Sequence, residues 1–238
     1  MSTIDLIVRS RPVILEILES RGYDVSVYKD VAPSDIYALA SDKPALLTIT
    51  AKKLEGSAAP KDRMVVLYWT DKAYRPSAAS QLERLIYSKL RESADEAAAG
   101  AGAGADAETE LAPVADDGVD PNRDEIIIIL AEPFHELYTQ LAINAWSKKV
   151  RLSFFCLKNL ISNPSKHFMV PSHRKLSPEE SQEIIKQLHM RSVNEFPHIK
   201  FHFDMQARVL GLVPGDVVEI QRPSETSGIY TFYRVCMP

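Results

Sequence analysis

His198 and His202 stand four positions apart, the spacing at which two imidazoles on adjacent helical turns can share a metal ion. The surrounding Pro197-His198-Ile199-Lys200-Phe201-His202-Phe203 reads instead as a strand. There both histidines alternate with Ile199, Phe201 and Phe203 on one polar face, and no third ligand has motif spacing. Cys156 and Cys236 are 80 positions apart with no CxxC or Cys/His pattern, which suggests neither a disulfide framework nor a zinc site. Ser224 has no histidine at useful spacing and Glu225 no paired acid, so Arg222-Pro223-Ser224-Glu225-Thr226-Ser227-Gly228 carries no nucleophile or acid–base set. It reads as a turn between strands Val217–Gln221 and Ile229–Val235, with Gly228 giving backbone freedom at its exit. The chemistry this stretch offers is recognition. Arg222, Glu225, Thr226 and, just beyond, Arg234 put charges and hydroxyls on a short turn suited to another protein's surface.

The elements that position this turn are mixed α and β. Ile4, Ile7 and Val13–Leu18 have helical spacing, with Pro12 in the first turn after Ser10 and Gly22 as the stop. A strand follows over Val25–Tyr28, then a short helix over Ser34–Leu39 capped by Ser34, strands over Ala45–Ala51 and Met64–Trp69, and an amphipathic helix over Ser80–Leu90. Ala94–Ala115 is alanine, glycine and acid with almost no large apolar side chain; it cannot offset its ordering entropy by burial and reads as a disordered insertion. Glu125–Leu130 is a nearly pure isoleucine strand of the fully buried kind, expected to share one sheet with the strands before the insertion. A helix over Pro133–Trp146 and a strand over Arg151–Leu157 complete this half. Further on, Ser177 caps a helix over Pro178–His189 with Glu179 and Glu180 in its first turn, and Gly211 and Gly215 bracket a turn that needs left-handed backbone.

Net charge becomes informative once the chain is divided. Residues 93–120 hold eight acids and no Lys or Arg, leaving 28 basic against 24 acidic residues elsewhere, a net of +4 in place of −4. A mildly basic body permits proximity to nucleic acid without demanding it. The longest apolar run, Ile126–Ala131, is too short to cross a bilayer, and the amino terminus lacks a basic region followed by an apolar secretory stretch, so a membrane partner is not expected.

One order of motifs goes further. His167-Phe168-Met169-Val170-Pro171-Ser172-His173, the acidic helix, Phe196-Pro197-His198-Ile199, Asp204, Gly211-Leu212-Val213-Pro214-Gly215-Asp216-Val217-Val218, and Arg222-Pro223-Ser224-Glu225-Thr226-Ser227-Gly228 before Tyr233-Arg234 follow one another over about 70 residues. This order resembles the carboxy-terminal module of the fifth subunit of eukaryotic nuclear RNA polymerases, a subunit with a counterpart in the archaeal RNA polymerase. Departures are few: Met169 and Phe196 stand for leucines, Met205 for the proline after Asp204, and one extra residue lies within Lys200–Phe203.

The resemblance implies two units of mixed α/β fold: an N-terminal jaw over 1–163, containing the acidic insertion of 93–120, and a small C-terminal α/β assembly domain over 164–238. The family's jaw resembles endonuclease folds, whose metal-dependent members need an acid, one residue, then lysine on a strand. Thr50-Ala51-Lys52 has threonine in the acid's place, so the fold is expected without its active site. By resemblance the chain is a non-catalytic subunit with no cofactor or metal of its own. The assembly domain docks on the largest subunit, and the jaw lies along downstream duplex DNA, with Lys148, Lys149 and Arg151 as the candidates for phosphate contact. His167, Pro171, His173, Pro197, Asp204, Gly211, Gly215, Arg222, Ser224, Glu225, Thr226, Gly228, Tyr233 and Arg234 carry the family signature, with His167 and His173 expected to be buried and hydrogen-bonded. Transcription regulators are further expected partners, and an adaptor bridging polymerase and regulators is the alternative role. The location implied is the nucleus, or cytoplasm or virion if a large DNA virus encodes the chain.

Overall fold

A computed structural model describes residues 2–42, 47–69, 120, 123–131 and 136–238. The expected helix Ser80–Leu90 and the insertion Ala94–Ala115 lie outside the described residues.

Five strands make the first sheet: β1 (Tyr23–Asp24), β2 (Ile49–Lys53), β3 (Arg63–Trp69), β4 (Asp124–Leu130) and β5 (Arg151–Cys156), in spatial order β1-β2-β3-β4-β5. The first three pair antiparallel, whereas β3, β4 and β5 are parallel, so strands on either side of the insertion do share one sheet. A parallel pair needs a crossover connection, and Trp69 and Asp124 bound the one between β3 and β4. Both faces are covered. Ile127 and Ile129 pack with Ile14, Ile17 and Leu18 of helix α1 (Thr3–Ser20), while Ile126, Ile128 and Leu130 pack with Tyr138, Leu141 and Ala145 of α4 (Glu136–Ser147). Two-sided burial is the reason β4 is almost uninterrupted isoleucine.

Helix α1 begins well before the expected proline start. Ser2 and Asp5 form a reciprocal capping box, and Pro12 lies inside the helix. An interior proline costs about 3 kcal/mol through its missing N–H and its clash with the preceding turn. Burial of Leu6, Ile7, Ile14, Ile17 and Leu18 offsets that, at roughly 1.5–3 kcal/mol for each fully buried side chain. The expected strand over Val25–Tyr28 is replaced by β1 and a single helical turn, α2 (Ser26–Lys29). The Asp24 carboxylate accepts from both the N–H and the hydroxyl of Ser26, a local bond that turns the chain out of the sheet. Helix α3 spans Pro33–Asp42, with Pro33 at its first position, so Ser34 lies inside it and is not the cap. The strand expected over Ala45–Ala51 is displaced to β2.

The second sheet has the order β6-β8-β9-β7, from β6 (Ser172–Lys175), β7 (His198–Lys200), β8 (Val217–Ser224) and β9 (Gly228–Met237). Helix α5 (Pro178–Gln187), with the Ser177–Glu180 capping box, sends Ile184 and Ile185 against Leu176, Phe196, Val217 and Val235 on one face. The other face buries Val218, Ile220 and Cys236 against Phe201, Ala207 of α6 (Met205–Val209) and Trp146 and Ile143 of α4. Helix α4 thus serves both sheets and ties the two halves together.

Candidate assembly surface

Register makes the β8–β9 hairpin longer than the sequence suggests. Pairing continues from Val217↔Val235 through Arg222↔Tyr230 and Pro223↔Ile229 to Ser224↔Gly228, leaving only Glu225-Thr226-Ser227 as the turn. Arg222, Pro223 and Ser224 are therefore strand residues. Gly228 has φ +70°, the left-handed conformation expected at the turn's exit. The Ser224 hydroxyl lies 3.3 Å from that of Thr226 and accepts from the Ser227 N–H at 3.4 Å, which fastens the tip. Cross-strand packing explains why the strands extend. The Arg222 guanidinium lies 5.5 Å from the Tyr230 ring centre and 5.6 Å from that of Phe232, and Arg234 lies 5.9 Å from Phe232 while donating to the His198 carbonyl at 2.8 Å. Among the described residues neither arginine, nor Glu225, has an ion-pair partner. Tyr233 leans on Phe196, and partial burial, followed by the Glu219 charge, raises its phenol pKa.

The remaining signature residues fall into a structural group around this hairpin. Asp204 caps α6, accepting from the Gln206 N–H at 2.8 Å; the chain continues into Met205, which packs against the first core. Gly215 (φ +97°) allows its N–H to reach the Cys236 carbonyl, and burial, followed by the Asp216 charge, pushes the Cys236 thiol up to about 12, leaving it protonated and inert. His173 is half-buried, its Nδ1 donating to the Pro171 carbonyl at 2.7 Å. His167, expected to be buried, is exposed: its Nδ1 accepts from the Met169 N–H and its ring stacks on Phe168, itself 88% exposed. The 3-10 turn at Pro164–Lys166 just before it is fastened to the body, Lys166 pairing with Glu16 at 3.0 Å and the Ser165 hydroxyl donating to Gln206, while His167–Met169 beyond it are exposed.

His198 and His202 are not on one face. His198 is exposed on β7, whereas the chain turns after Lys200 and His202 is buried in left-handed backbone, φ +65°. Burial first, and the neighbouring Arg208 charge second, lower the His202 pKa to about 3.

The seam between the halves was not legible as a site in the sequence. Arg21, almost wholly buried, donates from Nη1 to Glu125 at 2.7 Å, from Nε to the Val209 carbonyl at 3.0 Å and from Nη2 to the Arg208 carbonyl, the last carbonyls of α6. Tyr23 donates to the second Glu125 oxygen at 3.0 Å, and burial drives its own pKa up. Gly211, at φ +63°, meets this group so closely that a Cβ would lie 3.1 Å from the Arg21 guanidinium carbon. Arg208 donates to the Phe154 carbonyl, and Arg151 to that of Gly211 at 3.2 Å. Arg151 is thus a half-buried seam residue, in contrast to exposed Lys148 and Lys149, whose ammonium lies 5.0 Å from the Trp146 ring centre for Lys149. The Arg21-Gly22-Tyr23 triplet was the sequence signal available for this seam. A cleft of about 970 Å³ opens beside it, but its charged walls are already joined in the pairs Arg21–Glu125, Lys175–Asp216 and Arg174–Glu180.

Comparison with known proteins places this geometry. Residues 162–236 match the family model described as RNA polymerase Rpb5, C-terminal domain. Subunit Rpo5 of DNA-directed RNA polymerase from Thermococcus kodakarensis is 45% identical over 69 residues, 29% of this chain and 82% of that protein. Its counterpart from Pyrococcus abyssi is 41% identical over 73 residues, 31% of this chain and 87% of that protein. The Dictyostelium discoideum subunit rpabc1 of DNA-directed RNA polymerases I, II, and III is 34% identical over 130 residues, 54% of this chain. The chain spans 65% of that relative's length. With its second sheet, hairpin and signature turns in the matched region, the chain belongs to the Rpb5/Rpo5 family of RNA polymerase subunits.

Proposed function

We propose that this chain is a non-catalytic structural subunit of a multisubunit DNA-dependent RNA polymerase, acting in the nucleus. The C-terminal unit, residues 164–238, docks on the largest subunit, and the N-terminal unit, residues 1–163, is a jaw beside downstream DNA. The observation that carries the reading is the β8–β9 hairpin. Its outer part holds Arg222, Glu225 and Thr226 exposed, outside the buried core clusters and without an ion pair among the described residues, so that they offer charge and hydrogen bonds to a neighbour. The names of the relatives support the same assignment. For the jaw, Lys148 and Lys149 at the end of α4 are the residues assigned to phosphate contact, while Arg151 belongs to the seam. No catalytic role is assigned to the endonuclease-like fold that the family resemblance implies for the jaw, because Thr50 stands where a metal-dependent enzyme needs a carboxylate.

The test is purification of the tagged chain from its native source at moderate salt, with stoichiometry of what accompanies it. Both large polymerase subunits at about one copy each are expected. Recovery alone, or with substoichiometric and dispensable polymerase, points to an adaptor instead.

A further inference from the structure

The outer edge of β9 carries chemistry distinct from that of the hairpin tip. The Val235 N–H donates to the Pro197 carbonyl and the Met237 carbonyl accepts from Phe201, so odd-numbered residues of β9 direct their backbone groups toward β7. Even-numbered residues face the β8 side, as the Cys236 N–H does in donating to the Asp216 carbonyl. Strand β7 pairs only with Val235–Met237. The next rung would need an N–H at position 197 to donate to the Tyr233 carbonyl, and Pro197 has none. The ladder therefore stops, and the N–H groups of Thr231 and Tyr233 with the carbonyls of Ile229, Thr231 and Tyr233 face outward with no strand beside them among the described residues.

The other edge of the same hairpin is treated differently. Strand β6 pairs with β8 as far as Gln221, and the next outward-facing residue is Pro223, whose missing N–H blunts that edge. One edge is closed to a further strand and one is open. Side chains along the open edge have a defined character. Arg222, Tyr230, Phe232 and Arg234 share a face, with the Arg222 guanidinium reaching across to lie over the rings of β9. On the opposite face Ile229 is 69% exposed. Two guanidiniums held on aromatic planes without a carboxylate are pre-oriented cation sites.

We propose that the Ile229–Tyr233 edge takes up an extended segment of a partner subunit as an additional β-strand, with an acidic side chain of that segment set against Arg222 and Arg234 and an apolar one over Ile229. This deepens the assembly reading and rests on it. In such strand addition the main chain supplies affinity and the alternating side chains supply register, which an open edge with a cationic and an apolar face provides. Pro197 acquires a second role, ending β7 so that the site stays free.

The test uses the full tagged chain purified with polymerase from its source. Thr231→Pro removes one outward N–H and no bond within the hairpin; Thr231→Val keeps that N–H and is the control. The parent and Thr231→Val recover the large subunits equally, and Thr231→Pro, melting as the parent does, recovers at least about tenfold less. Undiminished recovery with Thr231→Pro overturns the proposal. Failure of the parent itself to recover polymerase counts against the assembly reading instead. Should Thr231→Pro fail to fold, residue-resolved amide exchange on the unaltered chain decides. The Thr231 and Tyr233 amides slow on the order of a hundredfold on assembly if a strand is added, and their unchanged exchange overturns the proposal.

Discussion

Arginine is used in opposite ways at the seam and on the hairpin. Arg21 is enclosed, and its donors go to Glu125 and the carbonyls of Arg208 and Val209. Arg222 is exposed, stacked on Tyr230 and Phe232, and has no carboxylate among the described residues. The two sheets differ in the same sense: β4 is covered on both faces, whereas β8 and β9 run on past β6 and β7. Where the polar groups are satisfied within the chain, they hold its halves together; where they are left open, they are available to a neighbour. Stability and assembly should therefore respond to different substitutions.

The largest effect on stability is expected at the seam. Arg21→Ala strands the Glu125 carboxylate and two carbonyls, and chemical denaturation should show a loss of about 3–5 kcal/mol. Next comes a matched pair. Ile129→Ala, at a fully buried position, should cost about 2–5 kcal/mol, and Ile229→Ala, on the open hairpin, within about 0.5 kcal/mol. If the two cost alike, the contrast between the sheets fails.

Protonation gives a third handle. His202 titrates at about 3 when folded, below the 6.5 of an unperturbed histidine, so the unfolded chain binds the proton first as pH falls. Its stabilising contribution is complete above pH 6.5 and is lost through the window down to about 3, at a limiting slope of about 1.4 kcal/mol per pH unit. Comparing the pH dependence of the chain with that of His202→Phe isolates this residue; identical profiles would place the imidazole in water. The smallest effect is at the cap: Ser177→Ala should cost about 1 kcal/mol by breaking the capping box with Glu180.

Local chemistry made much of this legible from sequence. The isoleucine run, the Ser177 cap, the positive-φ glycines and the hairpin all announce themselves within a few residues, because burial periodicity, capping and turn geometry are local. What escaped depends on distant partners. Pro12 is tolerated inside α1 because it sits on the exposed side of a helix whose other face is buried, His202 is enclosed because the chain turns after Lys200 beside Arg208 of α6, and Arg21 acquires its role from α6, nearly 190 positions away. His167 departs from expectation for the converse reason, since a signature histidine need not face the core.

The most direct test of the division between architecture and assembly is Arg222→Ala combined with Glu225→Ala, measured in one preparation for thermal melting and for recovery of the large polymerase subunits. An unchanged melting curve with sharply reduced recovery is the predicted result. Full recovery of polymerase by the double variant, or a loss of folding in the isolated chain, would contradict it.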